Sequence, residues 1–206
     1  MGIISRQIGW SQESNLLWQI LKQLNRLTSI MFGLKPKYKV YTALLTQSGG
    51  DNPLSINTGI LTIGVTYFID EVFENSGADF FNVGAPNNNV GTFFIATGTT
   101  PNSWGEVGSE TTLIYNQGAP VVTVLENTIG NIWFIYNTTG EYEINSSSLF
   151  LVGKTWGICP ANTGQGYTNV FGVNDANQIY LATSDASDTL VDDLLSDTSI
   201  EIRVYN

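Results

Sequence analysis

Apolar residues in Gly9–Leu34 recur every seven positions. Trp10, Leu17, Leu24 and Met31 form one series, and Ile20, Leu27 and Leu34 form a second, offset by three. These are the a and d positions of a coiled-coil seam, so the spacing predicts one amphipathic helix that packs against copies of itself. Ser11 is its expected N-cap, Glu13 lies in the first turn where the helix dipole favours an acid, and Gly33 and Pro36 stop it. From Ser11 to Phe32 such a helix is about 30 Å long at ~1.5 Å per residue. Leu21 widens the apolar face and Trp18 lies off the seam. The alternative is a lone amphipathic helix packed on its own domain.

From Tyr38 the period changes to two. Val40, Thr42 and Leu44 alternate with Tyr41, Ala43 and Leu45, and Gly49–Pro53 is a turn cluster. Further strands are predicted at Ile60–Ile69 (with a bulge or break at Gly64), Gly91–Thr97, Thr111–Tyr115, Val121–Glu126, Ser148–Thr155, Tyr167–Val173 and Gln178–Thr183. Asn131–Tyr136 and Gly140–Asn145 form a hairpin in which Tyr142 and Ile144 face one way and Glu141 and Glu143 the other. Ile200, Ile202 and Val204 alternate with Glu201, Arg203 and Tyr205 in a last half-buried strand. Leu190, Val191, Leu194 and Leu195 have helical spacing, so a short helix is expected over Asp188–Ser196, capped by Ser187 or Asp188. About ten strands joined by short turns predict a mainly β protein. Its expected architecture is an antiparallel β-sandwich or barrel-like unit over 40–206, joined to a leader, coiled-coil helix and linker over 1–39.

Composition sharpens this division. Charged residues are 13% of the chain, well below the ~25% typical of soluble domains. The charges are also segregated. Arg6, Lys22, Arg26, Lys35, Lys37 and Lys39 face only Glu13 in residues 1–39, whereas Lys154 and Arg203 face all the other acids in the rest. A basic N-terminal segment suits an acidic partner surface. The acidic remainder argues against nucleic acid as its partner. No apolar run approaches ~20 residues, so no membrane span is expected, and the N-terminus does not read as a signal peptide.

The N-terminal MGIISRQIGWSQESNLLWQILKQLNRL resembles a leader found on virion proteins of crAss-like bacteriophages. The segments YKVYTALLTQSGGDNP, DFFNVGAPNNNVGTFFIATGTTPNSWG and APVVTVLENTIGNIWF resemble a β-module that recurs in phage head-fibre, tail-fibre and other virion proteins. Residues 137–206 carry no motif of that kind. The resemblance implies a homotrimeric head fibre, made in the host cytoplasm and attached to the capsid surface by its N-terminal region. Its implied partners are other copies of itself, a major or auxiliary capsid protein, and host or mucus glycans. Leu17, Ile20, Leu24, Leu27 and Met31 are the expected oligomerisation seam. Arg6, Trp10, Trp18, Lys22 and Arg26 are the expected capsid-docking residues. The alternative is a tail-fibre or baseplate-associated glycan-binding adaptor, for which Trp104, in a turn-rich stretch, is the candidate glycan contact.

Catalytic chemistry has few footholds. The chain has no His, which removes Ser-His and Cys-His nucleophile pairs, and Cys159 is its one Cys. No cofactor-binding motif is present, and neither catalytic nor metal-binding residues are assigned. Carboxylates at Asp70/Glu71/Glu74 or Asp185/Asp188/Asp192/Asp193 are the residual candidates for glycan cleavage. The Asp185–Asp197 acids are also candidates for calcium, weighed against a solvated helix start.

Overall fold

The computed structural model describes residues 12–33, 37–73, 76–161 and 167–206; within the helix, the side chains described are those of 16–26. The protein is mainly β with one N-terminal helix. It divides into two compact units, Met1–Lys37 and Tyr38–Asn206. The helix, α1, runs Gln12–Gly33 and ends at the glycine expected to end it. Ser11, Leu34 and Pro36 lie outside the described residues. Among the described residues, no helix is long and apolar enough to cross a membrane.

Three four-stranded antiparallel sheets make up the second unit. The first has the order β6 (Val121–Asn127), β1 (Tyr38–Thr46), β12 (Thr198–Tyr205), β9 (Thr155–Ile158). The second has the order β10 (Thr168–Val173), β11 (Gln178–Ser184), β8 (Glu141–Ser146), β7 (Ile132–Thr138). The third has the order β2 (Pro53–Ile56), β5 (Thr112–Asn116), β3 (Thr66–Glu71), β4 (Phe93–Ile95).

Period-two sequence explains the central strands. Tyr41, Ala43 and Leu45 on β1 and Ile200, Ile202 and Val204 on β12 are buried, while the residues between them reach the other face. Their register sets Tyr41 against Ile202 and Ala43 against Ile200. The unit's first and last strands are thereby hydrogen-bonded neighbours. In the β7–β8 hairpin, Phe134 and Tyr136 oppose Ile144 and Tyr142, all four buried, with Glu141 and Glu143 on the other face as expected.

Two cores result. The larger draws on β1, β6 and β12 of the first sheet and β7, β8 and β11 of the second. The smaller packs Tyr67, Ile69, Phe94 and Leu113 of the third sheet against Phe80 and Val83, which flank and end a single 3-10 turn at Phe81–Val83.

The third sheet is tied to β6 at Gly64. Its N–H donates to the Ala96 carbonyl (2.8 Å) and its carbonyl accepts from the Val122 N–H (2.9 Å). Gly64 has φ +86°, and a Cβ there would lie 2.5 Å from the Val122 oxygen, so only glycine suits the position. This corrects the expected strand Ile60–Ile69: residues 60–65 make the turn and β3 starts at Thr66.

Two other expectations are corrected. Ser148–Thr155 is not a strand, because Ser148 (φ 59°) and Gly153 (φ 74°) are left-handed and turn the chain before β9. Nor is there a helix at Asp188–Ser196, where Asp188 (φ 57°) and Asp193 (φ 65°) are also left-handed, a conformation a right-handed helix cannot continue through. The segment is instead stitched to distant backbone. Val191 N–H donates to the Thr183 carbonyl (3.1 Å), Asp193 N–H to Gln47 Oε1 (2.7 Å), and Gln47 N–H to the Leu195 carbonyl (2.9 Å). Of its four aliphatic residues only Leu195 is buried.

Candidate functional sites

α1 presents apolar side chains to solvent. Leu17, Ile20 and Leu24 of the expected seam are 67%, 54% and 58% exposed, and Leu16, Leu21 and Trp18 are exposed as well. An ordinary surface helix hides such residues on its own domain. Off the seam, the Lys22 ammonium lies 3.7 Å from the centroid of the Trp18 ring, a cation–π contact that gathers two expected docking residues into one patch. Arg26 is also exposed. Arg6 and Trp10 lie outside the described residues. So do the side chains of Leu27 and Met31, whose backbone is helical.

The second unit carries a polar groove at the end of the β2–β5 pair, lined by the turn before β2 and the turn after β5. Asn116, the last residue of β5, organises it. Its Oδ1 accepts from the Gly118 N–H (2.9 Å) and the Asn52 N–H (3.2 Å), and its Nδ2 donates to Asp51 Oδ1 (2.7 Å). Gln117 N–H donates to the Asn52 carbonyl (3.1 Å), and the Asn52 amide donates back to Gln117 Oε1. These bonds press two turns together: a Cβ on Gly118 would lie 2.5 Å from the Gly50 oxygen, so Gly118 has no room for a side chain. The resulting cavity is about 610 Å³ and is lined by Ser48, Asn52, Thr62, Tyr115, Asn116 and Gln117 among others. A smaller apolar cleft of about 240 Å³, walled by Phe68, Phe93, Ile114 and Phe134, shares Tyr115 and Asn116 with it.

Behind the groove stands Asp192. Its Oδ1 accepts from the Gly140 N–H (2.8 Å) and the Tyr142 hydroxyl (3.1 Å), and its Oδ2 from the Tyr136 hydroxyl (2.9 Å). Asp193 Oδ1 accepts from the Gly49 N–H (2.7 Å). Asp185 Oδ1 accepts from the Ser187 and Thr189 N–H groups, and Asp197 Oδ1 from the Thr46 hydroxyl. These acids close turns. Among the described residues, no group of three or more His, Cys, Asp or Glu could hold a metal ion. Asp70 and Glu71 are exposed at the end of β3, and Glu74 lies outside the described residues.

Trp104 is half-buried. Its indole N–H donates to the Gly59 carbonyl (3.1 Å), and its ring meets Phe80 edge-on (85°, centroids 5.4 Å apart) beside the smaller core. The residue put forward as a sugar contact therefore anchors its own loop first.

Cys159 is buried, and burial pushes its thiol up to about 11, with the Asn169 amide 3.6 Å away pulling slightly the other way. A folded-state value above the unfolded one contributes stability below the unfolded thiol's pKa and loses it as pH rises through about 11. The native protein is therefore expected to react negligibly with a disulfide reagent such as Ellman's at pH 8. It should titrate one thiol at once in denaturant; rapid native labelling would contradict the burial.

No protein-family model matches this chain, and no curated protein or solved structure matches it.

Proposed function

We propose that this protein is a structural component of a bacteriophage particle. In this reading it is a head fibre whose chains trimerise through α1 as a coiled coil and attach to a capsid protein through the N-terminal region, decorating the capsid surface. The observation that carries the reading is the exposed Leu17, Ile20 and Leu24 series on a 22-residue helix belonging to a compact unit of its own. A narrow apolar seam of this length is explained when sister helices cover it. Leu27 and Met31 extend the seam. Arg6, Trp10, Trp18, Lys22 and Arg26 are left for the particle. The first and second sheets, which fill one core between them, close as an antiparallel sandwich. The work done is assembly and display, not catalysis, with neither nucleic acid nor membrane as partner.

A second reading, a tail-fibre or baseplate-associated glycan-binding adaptor, draws its support from the amide-lined groove. The two readings share the role of α1.

Both cores lie wholly within residues 41–204. Removing residues 1–37 is therefore expected to leave a folded β unit that sediments as a monomer and no longer binds particles, while the full chain sediments as a trimer. A truncated form that still trimerises and docks defeats the proposal.

A further inference from the structure

We infer that the groove at the end of the β2–β5 pair, between the turns at 48–52 and 116–121 and the turn at 62–65, is a binding site for a neutral oligosaccharide. The inference rests on the groove alone, so it and the assembly reading fail in separate experiments.

The size of the cavity, about 610 Å³, falls in the range of small-ligand sites. Its lining decides what it takes. The Asn52–Asn116–Gln117 network uses only part of each outer amide. Asn52 Nδ2 and Gln117 Oε1 bond one another, which leaves Asn52 Oδ1 as an acceptor and Gln117 Nε2 as a donor, unused among the described residues. Asp51 likewise uses Oδ1 for Asn116 and keeps Oδ2. Ser48 and Thr62 add hydroxyl-bearing residues to the lining. A pyranose hydroxyl both donates and accepts, so a row of them can engage alternating acceptors and donors that a purely anionic or purely cationic group cannot.

Charge narrows the class. Lys39, Lys154 and Arg203 are the basic residues of 38–206, and none lines the cavity. Asp51 borders it, while Asp193 holds Gly49 and Asp192 lies against Gly50. Phosphate, sulfate or sialate would meet carboxylates with no cation to offset them. Tyr115 supplies an apolar surface for a sugar's C–H face. Its ring is braced by Tyr67 at a centroid distance of 5.3 Å, so little ordering is needed on binding.

The test uses the full chain, labelled with 15N and titrated with cellotriose, maltotriose, triacetylchitotriose, lactose and sialyllactose. At least one neutral sugar is expected to bind with millimolar or tighter affinity and to shift amides in 48–52 and 115–118. Thr62→Trp, which fills the groove from an exposed position, and Gln117→Ala, which removes the unused amide, should each weaken that binding about tenfold or more. Unchanged thermal unfolding would show that each variant is folded. Three results overturn the inference: no neutral sugar moves those amides, binding survives both substitutions in folded protein, or sialyllactose binds more tightly than lactose.

Discussion

Asp192→Ala is expected to destabilise the β unit by about 2–4 kcal/mol, the scale for stranding buried donors by removing their shared, half-buried acceptor. The carboxylate accepts three hydrogen bonds, from the hydroxyls of Tyr136 and Tyr142 and from the Gly140 N–H. Tyr142 is fully buried and Tyr136 nearly so, so alanine strands two phenol donors and an amide with little access to water. Each such donor costs about 1–3 kcal/mol, and shared relaxation makes the total less than the sum. The effect is read as a lowered denaturation midpoint in urea with unchanged slope. Asp192→Asn keeps an acceptor and should cost less than alanine. Tyr142→Phe should cost less in an Asp192→Ala background than in the wild type, because the hydroxyl has by then lost its acceptor. The same network has a pH signature. Burial, and after it the negative charge of Asp192, push the Tyr142 hydroxyl above the usual phenol range. A folded-state value above the unfolded one means the contribution is complete below about pH 10, the usual phenol pKa, and is lost as pH rises beyond it. Tyr180 behaves alike: burial and its bond to Glu141 raise it to about 12.

The Asp192 network also shows where sequence reasoning reaches and where it stops. Strands β1, β8 and β12 are legible because each has one face on the core, so burial imposes a period of two that a reader can count: Tyr142 and Ile144, or Ile200, Ile202 and Val204. The segment 188–196 is misread by the same method. Its aliphatic residues have helical spacing by coincidence, and what determines its path is the bonding of Asp192 and Asp193 to residues about 50 and 145 positions earlier. No local window contains that information. β2 is four residues, three of them exposed, so Pro53–Ile56 shows no alternation and reads as part of the turn before it. The groove is hidden for a related reason. Asn52 and Asn116 are 64 residues apart, and either one alone is an ordinary turn asparagine. Only the pairing of β2 with β5 brings them together. The seam of α1 lies at the opposite extreme, since its period is entirely local.

Replacing Leu17 and Leu24 together by glutamate is expected to abolish self-association, weakening it by a factor on the order of 10³ or more. The two positions are seven apart on α1 and exposed in the single chain. Burying an exposed leucine contributes about 1.5–3 kcal/mol, and each association covers such residues on every participating helix. Glutamate removes that gain and sets like charges from neighbouring helices against one another along the seam. Sedimentation equilibrium should show the chain passing from a trimer to a monomer. Helicity should change with it, because an isolated helix of 22 residues is marginal in water without tertiary contacts. The wild type is thus expected to lose ellipticity at 222 nm on dilution, and the variant to lack it at any concentration. Trp18→Ala with Lys22→Ser supplies the contrast. These two touch each other away from the seam, so trimerisation should survive while particle attachment is lost. If the off-seam pair dissociates the trimer and the seam pair does not, the helix faces have been assigned the wrong way round. If neither pair changes the mass, α1 does not assemble the protein.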